Sequence, residues 1–380
     1  MLVLLMGSFY FFNINISISS SDIEFSPWQL TDNEEVEYVG EQPENIIIFI
    51  ADGMGFGHLS IALQTLNSES QPSVWQEFEV KGWHDARSAF GPLTDSEASA
   101  TAMTTGTSTQ FGHIGIDKDG KVLENIFEIA YDQEYTTGIV TDSYIWDATP
   151  AAFLAHTRNE DDARDILTQI SATNLDLIFG ELEDLGEDDV PEKDETMEIL
   201  SKRFKLLDRT LKLPDDDNGS IPVMAIFDED EIQDLDSSPN LTQLTETALK
   251  YMSSQDKPFM LLVESEEIDA ASHVHNSKRV INGLKSIQQT LAVLLKFSKI
   301  RGKTLVLFTS DHETGGLAPV ADFKRYPNLQ IKWSTKDHSA AVVPLFAYGP
   351  GAEYFADVHR NSEIGIRLKS LISRDKTSNE

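Results

Sequence analysis

Leu305-Val-Leu-Phe-Thr-Ser-Asp-His-Glu-Thr-Gly-Gly316 is a β-prone apolar run that stops at an Asp-His pair and a glycine turn. Without polar alternation, such a run predicts a strand buried on both faces of a sheet. Asp311 and His312 then stand where a central strand ends, and both offer metal-ligating atoms. Similar runs recur at Ile46–Ile50, Thr137–Val140, Leu175–Phe179, Val223–Phe227 and Phe259–Val263. Between most of them lie helical patterns, with apolar residues three and four apart in Leu123–Tyr131, Asp162–Ser171, Leu241–Met252 and Val280–Lys299. The alternation predicts an α/β fold: a three-layer sandwich in which a large, mostly parallel central sheet is covered by helices on both faces. Ligands of such sheets bind beyond the carboxyl ends of the strands, where loops and helix N-termini meet.

The chain has 380 residues, and we expect residues 21–380 to form one catalytic domain. Its 63 Asp plus Glu against 30 Lys plus Arg give a net charge of −33, which excludes a nucleic-acid-binding domain. So acidic a surface suits a salty medium, where screening shortens the range of repulsion, or serves solubility alone. No cysteine is present, so any metal must be held by nitrogen and oxygen donors. Residues 1–20 open with an apolar run too short to cross a membrane, which reads as a secretory signal or a weak N-terminal anchor and predicts export to the periplasm or medium.

Motifs fall at the strand ends. Asn45-Ile-Ile-Ile-Phe-Ile-Ala-Asp-Gly-Met-Gly55 delivers Asp52 into a glycine-rich turn, which alone is equally an ordinary Asp-Gly turn. Thr94-Asp-Ser-Glu-Ala-Ser-Ala-Thr-Ala-Met103 reads as a loop entering a helix, with Ser96 near its N-terminus as either a cap or a nucleophile. Asp269-Ala-Ala-Ser-His273 places a carboxylate and an imidazole on one face of a helical turn, suited to one Zn²⁺, or to a salt-bridged surface turn. Glu264, Asp311, His312, Asp337 and His338 supply further ligand types.

In order and spacing, Ile50-Ala-Asp-Gly-Met-Gly, Thr94-Asp-Ser-Glu-Ala-Ser-Ala-Thr-Ala, Asp147-Ala-Thr-Pro-Ala-Ala, Thr309-Ser-Asp-His-Glu-Thr-Gly-Gly and His338-Ser-Ala with Ala347-Tyr-Gly-Pro-Gly351 resemble the alkaline phosphatases of the two-zinc, one-magnesium type. The resemblance implies hydrolysis of a broad range of phosphate monoesters through a phosphoserine at Ser96, in a homodimer. It implies that Asp269, His273 and His338 hold the first zinc, and that Asp311 and His312 hold the second with Asp52. Asp147, Thr149 and Glu264 would hold magnesium with Asp52, and Arg158 would grip the phosphate. Arg158 lies nearer to Asp147 than its counterpart does in relatives, which implies a short deletion within Ala155–Asn159, or else a surface arginine paired with Glu160 or Asp161. Asp147 in place of a histidine favours magnesium at the third site. Ala270, where relatives often carry a larger residue, implies readier phosphate release. The other histidines, His58, His84, His113, His156, His275 and His359, read as structural. The rival readings are a phosphodiesterase or phosphonate hydrolase on the same scaffold, and an exported metal-binding protein without catalysis.

Overall fold

A computed structural model of the chain describes residues 23, 38, 40–66, 73–182, 193–214, 221–233, 235–321 and 324–373. The leader expected over residues 1–20 lies outside them. Among the described residues, no helix is long and apolar enough to cross a membrane.

The strands are β1 (Asn45–Ala51), β2 (Val80–His84), β3 (Thr136–Tyr144), β4 (Leu177–Leu182), β5 (Lys205–Leu206), β6 (Val223–Asp228), β7 (Phe259–Ser265), β8 (Thr304–Thr309), β9 (Glu313–Thr314), β10 (Ala318–Val320), β11 (Gln330–Lys332), β12 (His338–Ser339) and β13 (Val343–Tyr348). The helices are α1 (Phe56–Thr65), α2 (Ser96–Thr105), α3 (Ile126–Asp132), α4 (Ala148–Leu154), α5 (Ala163–Ala172), α6 (Lys193–Leu200), α7 (Leu241–Ser254), α8 (Glu267–His273), α9 (Ser277–Arg301) and α10 (Asn361–Ile372).

Nine strands form one sheet in the order β2-β13-β8-β1-β7-β3-β4-β6-β5. From β8 to β5 the pairing is parallel, as the uninterrupted apolar runs require; β13 and β2 join antiparallel at one edge. Successive side chains of a strand point to opposite faces, so β1 feeds two cores. Ile46, Ile48 and Ile50 pack with residues of α2, α3, α4 and α10, whereas Ile47, Phe49 and Ala51 pack with α1, α7 and α9. In α9, Val280, Leu284, Ile287, Leu291 and Leu294 form the buried stripe of a helix. Asn276 caps its start, and Gly302 ends it in the left-handed conformation.

β4 extends to Leu182, beyond the expected end at Phe179, through Gly180 and Glu181. Glu181 is tolerated inside because the backbone amides of Asp230 and Ile232 donate to its carboxylate at 3.0 and 2.8 Å. Parallel pairing of β8, β1, β7 and β3 brings their carboxyl ends to one rim of the sheet.

Candidate metal centre and nucleophile

β1 ends one residue before Asp52, and Gly53 turns the chain at φ 70°, so close to α8 that a Cβ would meet the Asp269 backbone at 2.8 Å. Only glycine adopts that conformation in that space without displacing its neighbours. The turn is fixed by Gly53 N donating to Asp311 Oδ1 at 3.2 Å and Met54 N donating to Ser310 Oγ at 2.9 Å. Asp52, Asp311 and His312 are all buried and converge. His312 Nε2 lies 3.5 Å from Asp52 Oδ1 and 3.2 Å from Asp311 Oδ2. Tetrahedral ligands with bonds of about 2.0–2.1 Å stand about 3.3 Å apart, so this spacing suits three donors to one ion.

A second trio comes from α8 and β12. Asp269 Oδ2 is 3.1 Å from His273 Nε2, and Asp269 Oδ1 is 3.8 Å from His338 Nε2. Backbone contacts orient the rings: His273 Nδ1 is 2.5 Å from Lys336 O, and His338 Nδ1 is 2.9 Å from Thr94 O. Such bonds on the far nitrogen present Nε2 to a metal. The rings of His312 and His338 stack with centroids 3.5 Å apart, which joins the two trios.

The third group lies across β3 and β7. Thr141 Oγ1 donates to Glu264 Oε2 at 2.6 Å, and Ser143 Oγ donates to Asp147 Oδ2 at 2.5 Å. Thr149 is buried on α4 nearby. Asp52 Oδ1, Asp311 Oδ2 and Thr149 Oγ1 are buried without a hydrogen-bond partner. Orphaned oxygen atoms aimed into a polar rim are what a cation would satisfy, and the donor set fits zinc and magnesium.

Electrostatics says the same. Burial, then the charges of Asp311 and Asp269, holds Asp52 well above the usual carboxylate range. Burial and then Asp147 do the same to Glu264, and burial raises Asp147. Asp269 is opposite: burial pushes it up, but the His273 hydrogen bond, the His312 charge and the Thr314 hydroxyl bring it down to about 2. The bond to Asp269 raises His273 to about 9. Burial, then the neighbouring His312, lowers His338.

Ser96 is the first residue of α2, and the cap is Asp95, whose Oδ1 accepts from Ala98 N at 2.9 Å. The capping role open to Ser96 in the sequence is therefore taken by its neighbour. The freed Ser96 Oγ lies 3.0 Å from His312 Nε2, at the helix N-terminus where the dipole favours negative charge.

Arg158 makes its hydrogen bond outside the ligand trios. Its exposed guanidinium donates to the Asp119 carbonyl at 3.0 Å, and Asp95, Glu97 and Glu160 converge instead beside the nucleophile, with ligand atoms within 4.8 Å of one another. Glu97 is pushed up to about 9 by burial, then by Asp95 and Glu160. Sequence reasoning missed these acids, and also missed Thr314, Asp142 and Glu266. Thr314 stands beside the Asp-His pair in a strand-end motif, the one available signal. Burial, then Asp147 and Asp142, holds Glu266 well above its ordinary value.

A profile of the alkaline phosphatase family matches residues 43–323. Alkaline phosphatase 4 of Bacillus subtilis is 26% identical over 84% of this chain and 86% of its own length. The alkaline phosphatase of Schizosaccharomyces pombe is 29% identical over 77% of this chain and 60% of its own. Among solved structures, alkaline phosphatase from the Antarctic bacterium TAB5 superimposes with a TM-score of 0.79 at 27% identity, over 89% of this chain and all of that one. A histidine-to-aspartate variant of that enzyme, with Mg bound in its M3 site, matches with a TM-score of 0.78. The nine-stranded α/β sheet thus carries candidate metal-binding carboxylates and imidazoles at its carboxyl rim, on the fold of a family of phosphate-ester hydrolases. The chain belongs to the alkaline phosphatase family.

Proposed function

We propose that this chain hydrolyses phosphate monoesters through a phosphoserine formed on Ser96. The carrying observation is the 3.0 Å approach of Ser96 Oγ to His312 Nε2, at the junction of two ligand trios whose oxygen atoms include orphaned, buried ones. Asp269, His273 and His338 would hold one zinc, and Asp52, Asp311 and His312 the other. Asp147, Thr149 and Glu264 would hold magnesium with Asp52; oxygen donors favour the harder ion, and the TAB5 aspartate variant binds Mg in its M3 site. When bound, these ions lower the pKa of a hydroxyl or water and neutralise charge on the phosphoryl group.

The chain's own residues do the rest. Asp95 relieves Ser96 of capping, so Oγ is free to attack phosphorus in line and displace the alcohol. The Ser96 hydroxyl gives up its proton as the Oγ–P bond forms and the ester P–O bond breaks, and the departing alkoxide takes up a proton to leave as the alcohol. Water then cleaves Oγ–P, returning a proton to Oγ and releasing inorganic phosphate. The helix dipole of α2 favours the serine alkoxide over the hydroxyl. Recognition concentrated on the phosphoryl group supports a broad range of alcohols. Arg158 would add a grip on that group, and the proposal does not depend on it, since its Nη2 donates to the Asp119 carbonyl. Export and a homodimer complete the reading, on the family resemblance and the apolar leader.

The test pairs metal analysis with p-nitrophenyl phosphate turnover for wild type and Ser96→Ala. We expect full zinc and magnesium in both and loss of turnover by at least about a thousandfold in the variant. Retained turnover would remove Ser96 from the mechanism, and faster cleavage of the bis ester by wild type would favour the phosphodiesterase reading.

A further inference from the structure

Three consecutive side chains at the end of β3 bond the third ligand group or the chain beside it. Thr141 Oγ1 donates to Glu264, Ser143 Oγ donates to Asp147, and Asp142 between them is fully buried with two donors of its own. Ser265 Oγ donates to Asp142 Oδ2 at 2.9 Å, and Glu266 N donates to Asp142 Oδ1 at 2.7 Å. Ser265 is the last residue of β7, and its carbonyl accepts from Asp52 N at 2.9 Å. Glu266 is the N-cap of α8 yet makes no side-chain cap bond, so Asp142 supplies from a neighbouring strand the acceptor that the helix start lacks. The register of β3 against β4 shifts between Val140 and Tyr144, while against β7 it runs regularly to the pair Thr141 and Glu264.

Resting on the site reading above, we propose that Asp142 is a positioning residue for the magnesium site. It fixes the junction of β7 and α8 so that Glu264, Asp52 and Asp269 keep the spacing a metal needs, while Thr141 and Ser143 orient the two carboxylates beside it. A buried carboxylate could serve the fold alone, through its two hydrogen bonds, and that role would leave metal affinity in the folded protein unchanged. Partners that orient ligands change metal affinity by about 10–100-fold when removed.

The experiment titrates Mg²⁺ into the zinc-loaded full chain by calorimetry, alongside thermal unfolding of the metal-free protein, for wild type, Asp142→Ala, Asp142→Asn and Ser265→Ala. We expect the Mg²⁺ dissociation constant to rise about tenfold or more for Asp142→Ala. Asp142→Asn, which keeps one acceptor, and Ser265→Ala, which keeps the Glu266 bond, should fall between. kcat in the variants should recover at saturating Mg²⁺, with KM little changed. A lowered unfolding temperature with unchanged Mg²⁺ affinity in Ser265→Ala and Asp142→Asn would overturn the proposal, even if Asp142→Ala does not fold. A wild-type chain that takes up no Mg²⁺ would remove the site reading and this inference together.

Discussion

At the residue scale, the nucleophile sits beside acids of the wrong sign for its substrate, of which Glu97, raised to about 9, adds its charge only toward alkaline pH. Asp95 and Glu97 flank Ser96 in sequence, and Glu160 joins them from the loop before α5. A phosphate monoester dianion approaching Ser96 meets this trio as well as the metal-binding rim. Neutralising one partly exposed carboxylate near a bound dianion is worth roughly 1 kcal/mol after solvent screening, or about fivefold in affinity. Glu160→Gln should therefore lower KM for p-nitrophenyl phosphate about fivefold at low ionic strength, with the gain shrinking in salt. An unchanged or raised KM would show that the trio does not act on the substrate. The ligands were legible in the sequence because few residue types bind zinc and magnesium without cysteine, and theirs recur at strand ends. The trio was not: among 63 acidic residues, Glu97 and Glu160 carry no distinguishing signal until folding sets them side by side. Nor could sequence show that the Arg158 guanidinium docks on the Asp119 carbonyl, since spacing alone does not tell where a long side chain ends.

At the element scale, α2 is held in place by close packing against α10. Its small residues let the two backbones approach until a Cβ on Gly365 would lie 2.5 Å from Gly106 N and 2.8 Å from Met103 O. These are backbone atoms and cannot swing aside. Overpacking of this kind costs about 1–3 kcal/mol, while a helix interior gains at most about 1 from Gly→Ala. Gly365→Ala should therefore lower stability in urea, net by about 1–2 kcal/mol, and reduce kcat by displacing the helix that carries Ser96. A stabilised variant with full activity would refute this account of the packing. The same glycine weakens the helix propensity of Asn361–Ile372, although Ile364, Leu368, Leu371 and Ile372 keep the helical period. β13 was hidden by Pro344, which argues against a strand within a sheet, and β2 by its brevity and alternating exposure. The central strands were legible because burial on both faces demands apolar residues at every position.

At the scale of the whole molecule, the sheet gathers buried carboxylates at one rim, and their state decides how far stability depends on metal. Asp52, Asp147 and Glu264 are all held above the ordinary carboxylate range. An acid whose folded pKa exceeds its unfolded value contributes stability that is fully present below the unfolded pKa, about 4, and lost as pH rises through the folded value. Without metal, these carboxyls should thus cost the chain stability as pH rises above about 4 and they are forced to ionise, against a gain up to about pH 6.5 from the buried, neutral His58 and His84 that metal-loaded and metal-free forms share. With metal bound, the cations stabilise the ionised forms and offset that loss, and binding strengthens as protons leave the ligands. The gap in unfolding temperature between metal-loaded and EDTA-treated protein should be small at pH 5 and grow to the order of 10 °C at pH 9, for metal at about a thousandfold excess over Kd. Differential scanning calorimetry at fixed ionic strength measures it. A gap that stays constant or narrows toward pH 9 would mean that the carboxylates at the rim are not neutralised by bound cations.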